Sequence, residues 1–294
     1  MVVSILSLSR RTGRRIGDGL GRAASRTLWL GLLVCAGALA AAPTARADFN
    51  SGWQAYQRGD FALAMAEWRP LAEQGHALAQ YNMGVIYDEG RGVKPNRARA
   101  IEWWKKAAGQ DLPIAQHNLA LMHIDTLNEQ PDIKRAIQLL EQASAGGFVR
   151  SLYTLGKIYG DGVGVPADAV KAFTLLSSAG KAGFDKAQYN LGKMYRDGRG
   201  VDADQSQAAK WFQSAAEQGY AKAQNKLAVI YYKGRGVEPD GVEALKWAIL
   251  AARQGHSEAK ENRAQLAERL NAEQIAKAKQ LADLFQPDVA GTAK

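Results

Sequence analysis

The sequence holds one cysteine and four histidines in 294 residues. A lone cysteine excludes a disulfide framework within the chain and any zinc site built on several thiolates. Four histidines leave little for a His-based metal centre. Proline is scarce at eight, and the thirty glycines follow no collagen triplet. No H-E-x-x-H, G-x-S-x-G or Walker-type loop occurs, so the common hydrolase and nucleotide signatures are missing. No cofactor is implied. With 47% hydrophobic and 23% charged residues the chain is globular in composition, which excludes a disordered protein.

The formal charge of +9 invites a nucleic-acid reading until it is located. Residues 1–47 contain Arg10, Arg11, Arg14, Arg15, Arg22, Arg26 and Arg46 against one acid, Asp18, and so carry six of the nine charges. An apolar run from Leu28 to Ala40 follows, then Pro43 and Ala45-Arg46-Ala47. A basic start, a short apolar core and an A-x-A site form a secretory signal peptide. The run is shorter than the ~18–20 residues that cross a membrane. An uncleaved anchor is the competing reading. Ser9-Arg10-Arg11 hints at a twin-Arg signal, but Gly13 stands where that motif expects a bulky apolar residue. Cleavage after Ala47 would remove Cys35 and leave a periplasmic or secreted protein without a stable membrane anchor. The basic excess is thus an export feature, and no nucleic-acid partner is expected.

Beyond the leader the chain repeats. Ala79-Gln80-Tyr81-Asn82-Met83-Gly84-Val85-Ile86-Tyr87 returns as Ala187-Gln188-Tyr189-Asn190-Leu191-Gly192-Lys193-Met194-Tyr195, three periods of 36 later. Gly-x-Gly-Val loops recur at Gly90, Gly162, Gly198 and Gly234. A large apolar column follows at Trp103, Leu139, Leu175, Trp211 and Trp247 and is assigned to the core. Five units fill residues 77–256. Each reads as two helices. The first places Ala, Leu or Met, Gly or Ala, and Tyr on one face, and the Gly-x-Gly loop supplies positive φ where the chain reverses. One pair cannot bury both faces, so neighbours must complete each core.

The pattern A-x3-L-G-x2-Y-x2-G-x-G-V followed by A-x2-W-x3-A-A-x-x-G resembles the Sel-1-like repeat, a longer relative of the tetratricopeptide repeat. The resemblance implies an all-α, right-handed α-solenoid of stacked helix–turn–helix repeats, an α/α superhelix. It also implies a non-enzymatic scaffold for a protein or peptide partner, often exported in bacteria and used in envelope regulation or assembly.

The array is irregular at its ends and in one unit. Residues 48–76 read as a shortened N-terminal capping repeat, with Asp60 opening its second helix. Residues 257–287 read as capping helices, with Asn271-Ala272-Glu273-Gln274 as a capping box and Pro287 as the stop, and residues 288–294 as a disordered tail. The unit from Pro113 to Phe148 replaces the column tyrosine by His123 and the glycine loop by residues 125–132. His76 and His256 share a turn position with Tyr220 and Phe148, which points to packing. Acid pairs such as Asp202 and Asp204 lie in loops, where solvation or N-capping explains them.

In tetratricopeptide-like arrays the first helices line the concave surface. Four columns off the core face, read from Leu78, Tyr81, Val85 and Asp88, are apolar in the early units. In the later units they carry Arg150, Lys157, Lys186, Lys193, Arg196 and Lys222 interleaved with Tyr153 and Tyr189. This set is the candidate partner-binding face, suited to an acidic or extended segment. A solvated helix face is the plain alternative, recognition of an acidic polymer such as an exopolysaccharide the second, and an unrecognised envelope hydrolase a minor third.

Overall fold

The computed structural model describes residues 47–125 and 131–288. Most of the expected leader, the loop over 126–130 and the tail beyond Asp288 lie outside the described residues. Among these, all regular structure is helical, with fourteen α-helices and no strand. The chain divides into two compact units, one ending at Lys106 and the other starting at Ala107. The first contains α1 (Phe49–Gln57), α2 (Phe61–Glu73), α3 (Ala77–Glu89) and most of α4 (Arg97–Ala108). The second contains α5 (Pro113–Ile124), α6 (Ile133–Ala145), α7 (Val149–Asp161), α8 (Ala169–Lys181), α9 (Asp185–Asp197) and α10 (Gln205–Glu217). It continues through α11 (Ala221–Lys233), α12 (Gly241–Arg253), α13 (Ser257–Ala267) and α14 (Ala272–Asp283). From α5 to α13 each helix packs on the next. The fold class is an all-α solenoid of stacked helix–turn–helix repeats.

Sequence periodicity accounts for the helix pairs. In α3 the residues Ala79, Met83, Gly84 and Tyr87 are buried, one stripe at helical spacing. Gly90, Gly162, Gly198 and Gly234 end their helices in the left-handed region, φ 62° to 68°. The second helices open on a repeated carboxylate. Asp60, Asp132, Asp168, Asp204 and Asp240 each accept backbone N–H groups of the first turn, which satisfies donors that the helix cannot. Asp204 is therefore a cap and not half of an acid pair.

The core column differs from the sequence expectation by one residue. Trp103, Leu175 and Trp211 are only half-buried, whereas Trp68, Trp104, Leu140, Leu176 and Phe212 lie in the interior. Leu139 and Trp247 of the expected column are buried as well. Four of the five units carry two bulky residues in succession, the last having Ala248 after Trp247. At Gly84, Gly156 and Gly192 the second of the two faces the small residue of the paired first helix. The Trp68 and Trp104 indoles lie on Gly52 and Gly84 and donate to Phe49 O and Tyr81 O, each at 3.1 Å.

The C-terminal end also departs from a regular repeat. The capping box is present, with Gln274 N–H donating to Asn271 Oδ1 at 2.9 Å and Asn271 N–H to Gln274 Oε1 at 3.1 Å. Helix α14 lies against α12. The helix ends at Asp283, ahead of Pro287, and the chain after it stays in contact with the repeats. Phe285 meets Trp247 edge-on at 5.5 Å, Pro287 covers Gly219, and Asp288 N–H donates to Glu217 O at 2.9 Å. Asp288 thus belongs to an ordered strap.

Candidate functional site

The first helices of the second unit carry the basic residues expected on the binding face. Arg150 and Lys157 stand on α7, Lys186, Lys193 and Arg196 on α9, and Lys222 on α11. Lys193 and Lys222 are exposed, and the other four are half-buried. Burial first, and then the like charges of Lys157 and Arg196, lower the pKa of the Lys193 ammonium from its usual value. Lys157 and Lys193 hold equivalent register positions one repeat apart and Arg196 lies one turn beyond Lys193, so the three cations share one field.

Acids thread the same face, which the column reading had left out. Lys157 Nζ pairs with Asp161 at 2.7 Å across one turn. Arg196 grips Asp197 through two hydrogen bonds of 2.7 Å, and that grip lowers the Asp197 pKa. Asp185, mostly buried, feels Lys186 and Arg150. Six cations against these three acids leave the face positive.

The tyrosine column is a correction. Tyr153 is only 7% exposed and His117 2%, while Asn225 is fully buried. Tyr153 is thus not on an open stripe. These residues reach the next first helix or the turn that precedes it. His117 Nδ1 lies 2.9 Å from Ser151 Oγ, and its ring meets Phe148 edge-on at 5.0 Å. Tyr153 meets Phe184 at 5.1 Å, Tyr189 meets Tyr220 at 5.3 Å, and Asn262 donates to Asn225 Oδ1 at 2.8 Å. Half-buried Tyr189 also packs on Phe212. The column joins repeats. Burial pushes the Tyr153 phenol up to about 12 and the His117 imidazole down to about 3, so both are neutral near pH 7. His76 and His256 also have a role beyond packing, since their Nδ1 atoms accept Ala79 N–H at 3.2 Å and Ala259 N–H at 3.3 Å.

A second column escaped the sequence reading. Gln80, Gln188 and Gln224 are buried, and each donates from Nε2 to the carbonyl eight residues before it, at 3.0 to 3.1 Å. Gln116 points its amide the same way. The signal was visible as Ala-Gln at the start of four first helices, where a polar residue sits beside the core. Near this column the inter-repeat turns of the second unit border an open groove of about 380 Å³. Among the described residues no group of three His, Cys, Asp or Glu is placed to hold a metal ion. None of the described helices is long and apolar enough to cross a membrane.

The Sel1 repeat model matches residues 77–112, 113–148, 149–184, 185–220 and 221–256 without a gap. The chain belongs to the Sel1 repeat family. Two solved structures resemble this Sel1 chain over 79% of its length. A protective antigen of uropathogenic Escherichia coli strains, which displays an SLR fold, is 30% identical with a TM-score of 0.71. A Sel1 repeat protein from Oxalobacter formigenes is 26% identical with a TM-score of 0.66, and 95% of that chain is covered. The present chain spans about half the length of the antigen, 51%. A comparison with curated proteins finds no match. Sel1 repeats are generally non-catalytic scaffolds that mediate contacts between proteins.

Proposed function

We propose that this Sel1 chain is an exported, non-enzymatic scaffold that seats an acidic, extended segment of a partner protein along α7, α9 and α11. The supporting observation is Lys193, an exposed residue whose ammonium pKa is lowered first by desolvation and then by two further cations, Lys157 and Arg196, against a smaller opposing effect of Asp197 and Asp161. Like charges held together raise the free energy of the unbound face, and a negative ligand relieves that cost. The stripe crosses successive repeats, which suits a segment bound lengthwise. A leader of signal-peptide form supports export to the periplasm or beyond the cell, with envelope assembly or regulation as the proposed setting.

Fluorescence anisotropy with a labelled oligo-glutamate peptide tests the reading, with a labelled anionic polysaccharide in parallel. Peptide binding that weakens as salt screens the face, while the polysaccharide binds no better than a neutral glycan, supports the protein-scaffold reading. Tighter capture of the polysaccharide transfers the face to polymer recognition. Absence of binding by either at low salt leaves a solvated helix surface and removes the proposal.

A further inference from the structure

The strap after α14 displays how a repeat of this chain receives an extended segment. Phe285 meets Trp247 edge-on at 5.5 Å, Pro287 lies 3.4 Å from where a Cβ on Gly219 would stand, and Asp288 N–H donates to Glu217 O at 2.9 Å. Each contact has a physical reason. The phenyl ring packs on the indole at the angle that aromatic pairs favour. The proline ring rests in the space left by a missing side chain. The amide satisfies a carbonyl at the C-terminus of α10, where the helix itself offers no donor. Proline also fixes its own φ and extends the residue before it, so part of the segment's shape is set before it is seated.

Four periods earlier the first unit presents the same three features. Ala72-Glu73-Gln74-Gly75 repeats Ala216-Glu217-Gln218-Gly219 residue for residue, and Trp103 stands where Trp247 does, each 144 residues before. The supporting helices agree. α2 ends at Glu73 and α3 spans Ala77–Glu89, and a shift of 144 reproduces the end of α10 and the bounds of α11. The turns carry the same hydrogen bonds, with Gly75 N–H donating to Ala72 O at 3.1 Å and Gly219 N–H to Ala216 O at 2.9 Å. Gln80 and Gln224 hold those same carbonyls at 3.0 and 3.1 Å. Lys106 and Lys246 each stand 4.4 Å from the centroid of the tryptophan ring.

Coverage is what differs. Trp247 is 3% exposed beneath Phe285, whereas Trp103 is half-buried and Glu73 exposed. Among the described residues, nothing beyond its chain neighbours comes within 4 Å of the Cβ position at Gly75. The turn at Gly147 is equally open, but its column residue is Leu175, so the aromatic anchor is missing there.

We propose that Glu73, Gly75 and Trp103 form a docking seat for an extended Phe-x-Pro segment of a partner protein. The phenylalanine packs on Trp103, the proline covers Gly75, and the N–H after it donates to Glu73 O. Phe-x-Pro occurs once in this chain, at 285–287, and that copy is seated on its own repeat, so the occupant comes from another protein. The residue after the proline must keep its N–H and is therefore not a second proline. The seat lies within the first unit and does not draw on the basic face of α7, α9 and α11.

The experiment is NMR of the full chain, resolved at amides and indoles, titrated with an end-blocked synthetic peptide of residues 283–290. The Gly75 amide and Trp103 indole signals should shift, with a dissociation constant on the order of 1 mM or tighter. Trp103→Leu installs the residue that Leu139 and Leu175 supply in other repeats. It should melt near the native temperature yet weaken the peptide tenfold or more. Peptides with alanine in place of the phenylalanine or of the proline should each bind several-fold more weakly. The proposal is overturned if Gly75 and Trp103 do not respond to about 5 mM peptide, several times the expected constant. It is equally overturned if only Gly219 and Trp247 respond, because the peptide then displaces the chain's own strap, or if the alanine peptides bind as well as the parent. Sedimentation of the chain alone should give a monomer. A dimer that Phe285→Ala dissociates would hand the seat to a second copy and overturn the assignment. A Lys157→Gln, Lys193→Gln double variant should bind the peptide unchanged, and loss of binding there would overturn the seat in favour of the basic face.

Discussion

The ring of Phe212 stands where a side chain on Gly192 would have to be, 2.8 Å from the position of its Cβ. The same pairing links Gly84 to Trp104 and Gly156 to Leu176, and in the first capping pair Gly52 to Trp68. Where the small residue is Ala228, the residue at the partner position is Ala248, and both are fully buried. Small and large residues are matched pair by pair, so overpacking one should be relieved by trimming the other. Gly192→Val is expected to destabilise by about 1–3 kcal/mol, as extra methyl groups do in a filled core. Phe212→Ala in the same chain should recover part of that loss, a coupling of at least about 0.5 kcal/mol in denaturant melts. Strict additivity of the two changes would contradict the contact.

His117 gives a pH dependence with a definite sign. Its imidazole is held neutral by burial and by the nearby Arg150 charge, with a folded-state pKa of about 3 against 6.5 unperturbed. Between these values the unfolded chain takes up a proton that the folded chain refuses, so this contribution is full above pH 6.5 and falls as pH drops towards 3. The slope is at most about 1.4 kcal/mol per pH unit. His117→Gln, which keeps a polar group facing Ser151, should lose stability relative to the native chain at pH 7, and the gap should narrow by about 1 kcal/mol for each pH unit below 6. A gap that stays constant from pH 7 to 5 would mean that His117 titrates in the fold as it does in the unfolded chain, against the lowered pKa.

The repeat, its helix pairs and its glycine loops were legible because a 36-residue period reveals every position five times. Register within a unit was less so. Trp103 and Trp104 are adjacent, as are Leu175 and Leu176, and periodicity cannot choose between neighbours when both are bulky. The Tyr153 column was misread for a related reason. A position off the hairpin core can still face the next repeat, and only the stacking distance decides whether it is open. Asp161 and Asp197 were in view but sit one turn or one residue from their cations, outside the columns compared. The unpaired Gln218 Oε1 had no signal in the sequence at all, because it follows from the direction of the Gln188 and Gln218 amides.

The strap after α14 should be a cooperative part of the last repeats. Phe285→Ala removes the ring that covers Trp247 and is expected to cost about 1–3 kcal/mol, below the full price of a buried phenylalanine because Phe285 is half-buried. Trp247 emission should move to longer wavelength as water reaches it. If emission and melting midpoint are both unchanged, the strap is not bound in solution.

The basic face is best tested by two kinds of substitution, because Lys157 already has a partner. Replacing Lys157 by Glu sets a carboxylate one turn from Asp161, where Lys157 now makes a 2.7 Å ion pair. That repulsion could change α7 by a few tenths of a kcal/mol without any ligand. Gln at the same position removes the charge with less local conflict. At position 193, loss of the ammonium relieves like-charge crowding with Lys157 and Arg196, so stability should hold or rise slightly. The Lys157→Gln, Lys193→Gln double variant should therefore melt near the native temperature yet bind an oligo-glutamate probe several-fold more weakly. Double replacement by Glu should weaken it tenfold or more, on the order of 1.4 kcal/mol. The graded order of native, Gln and Glu forms separates a charge effect from a folding effect, because only charge predicts that the Glu pair binds worse than the Gln pair at equal helicity. Equal affinity across all three forms would show that the six cations serve solvation alone.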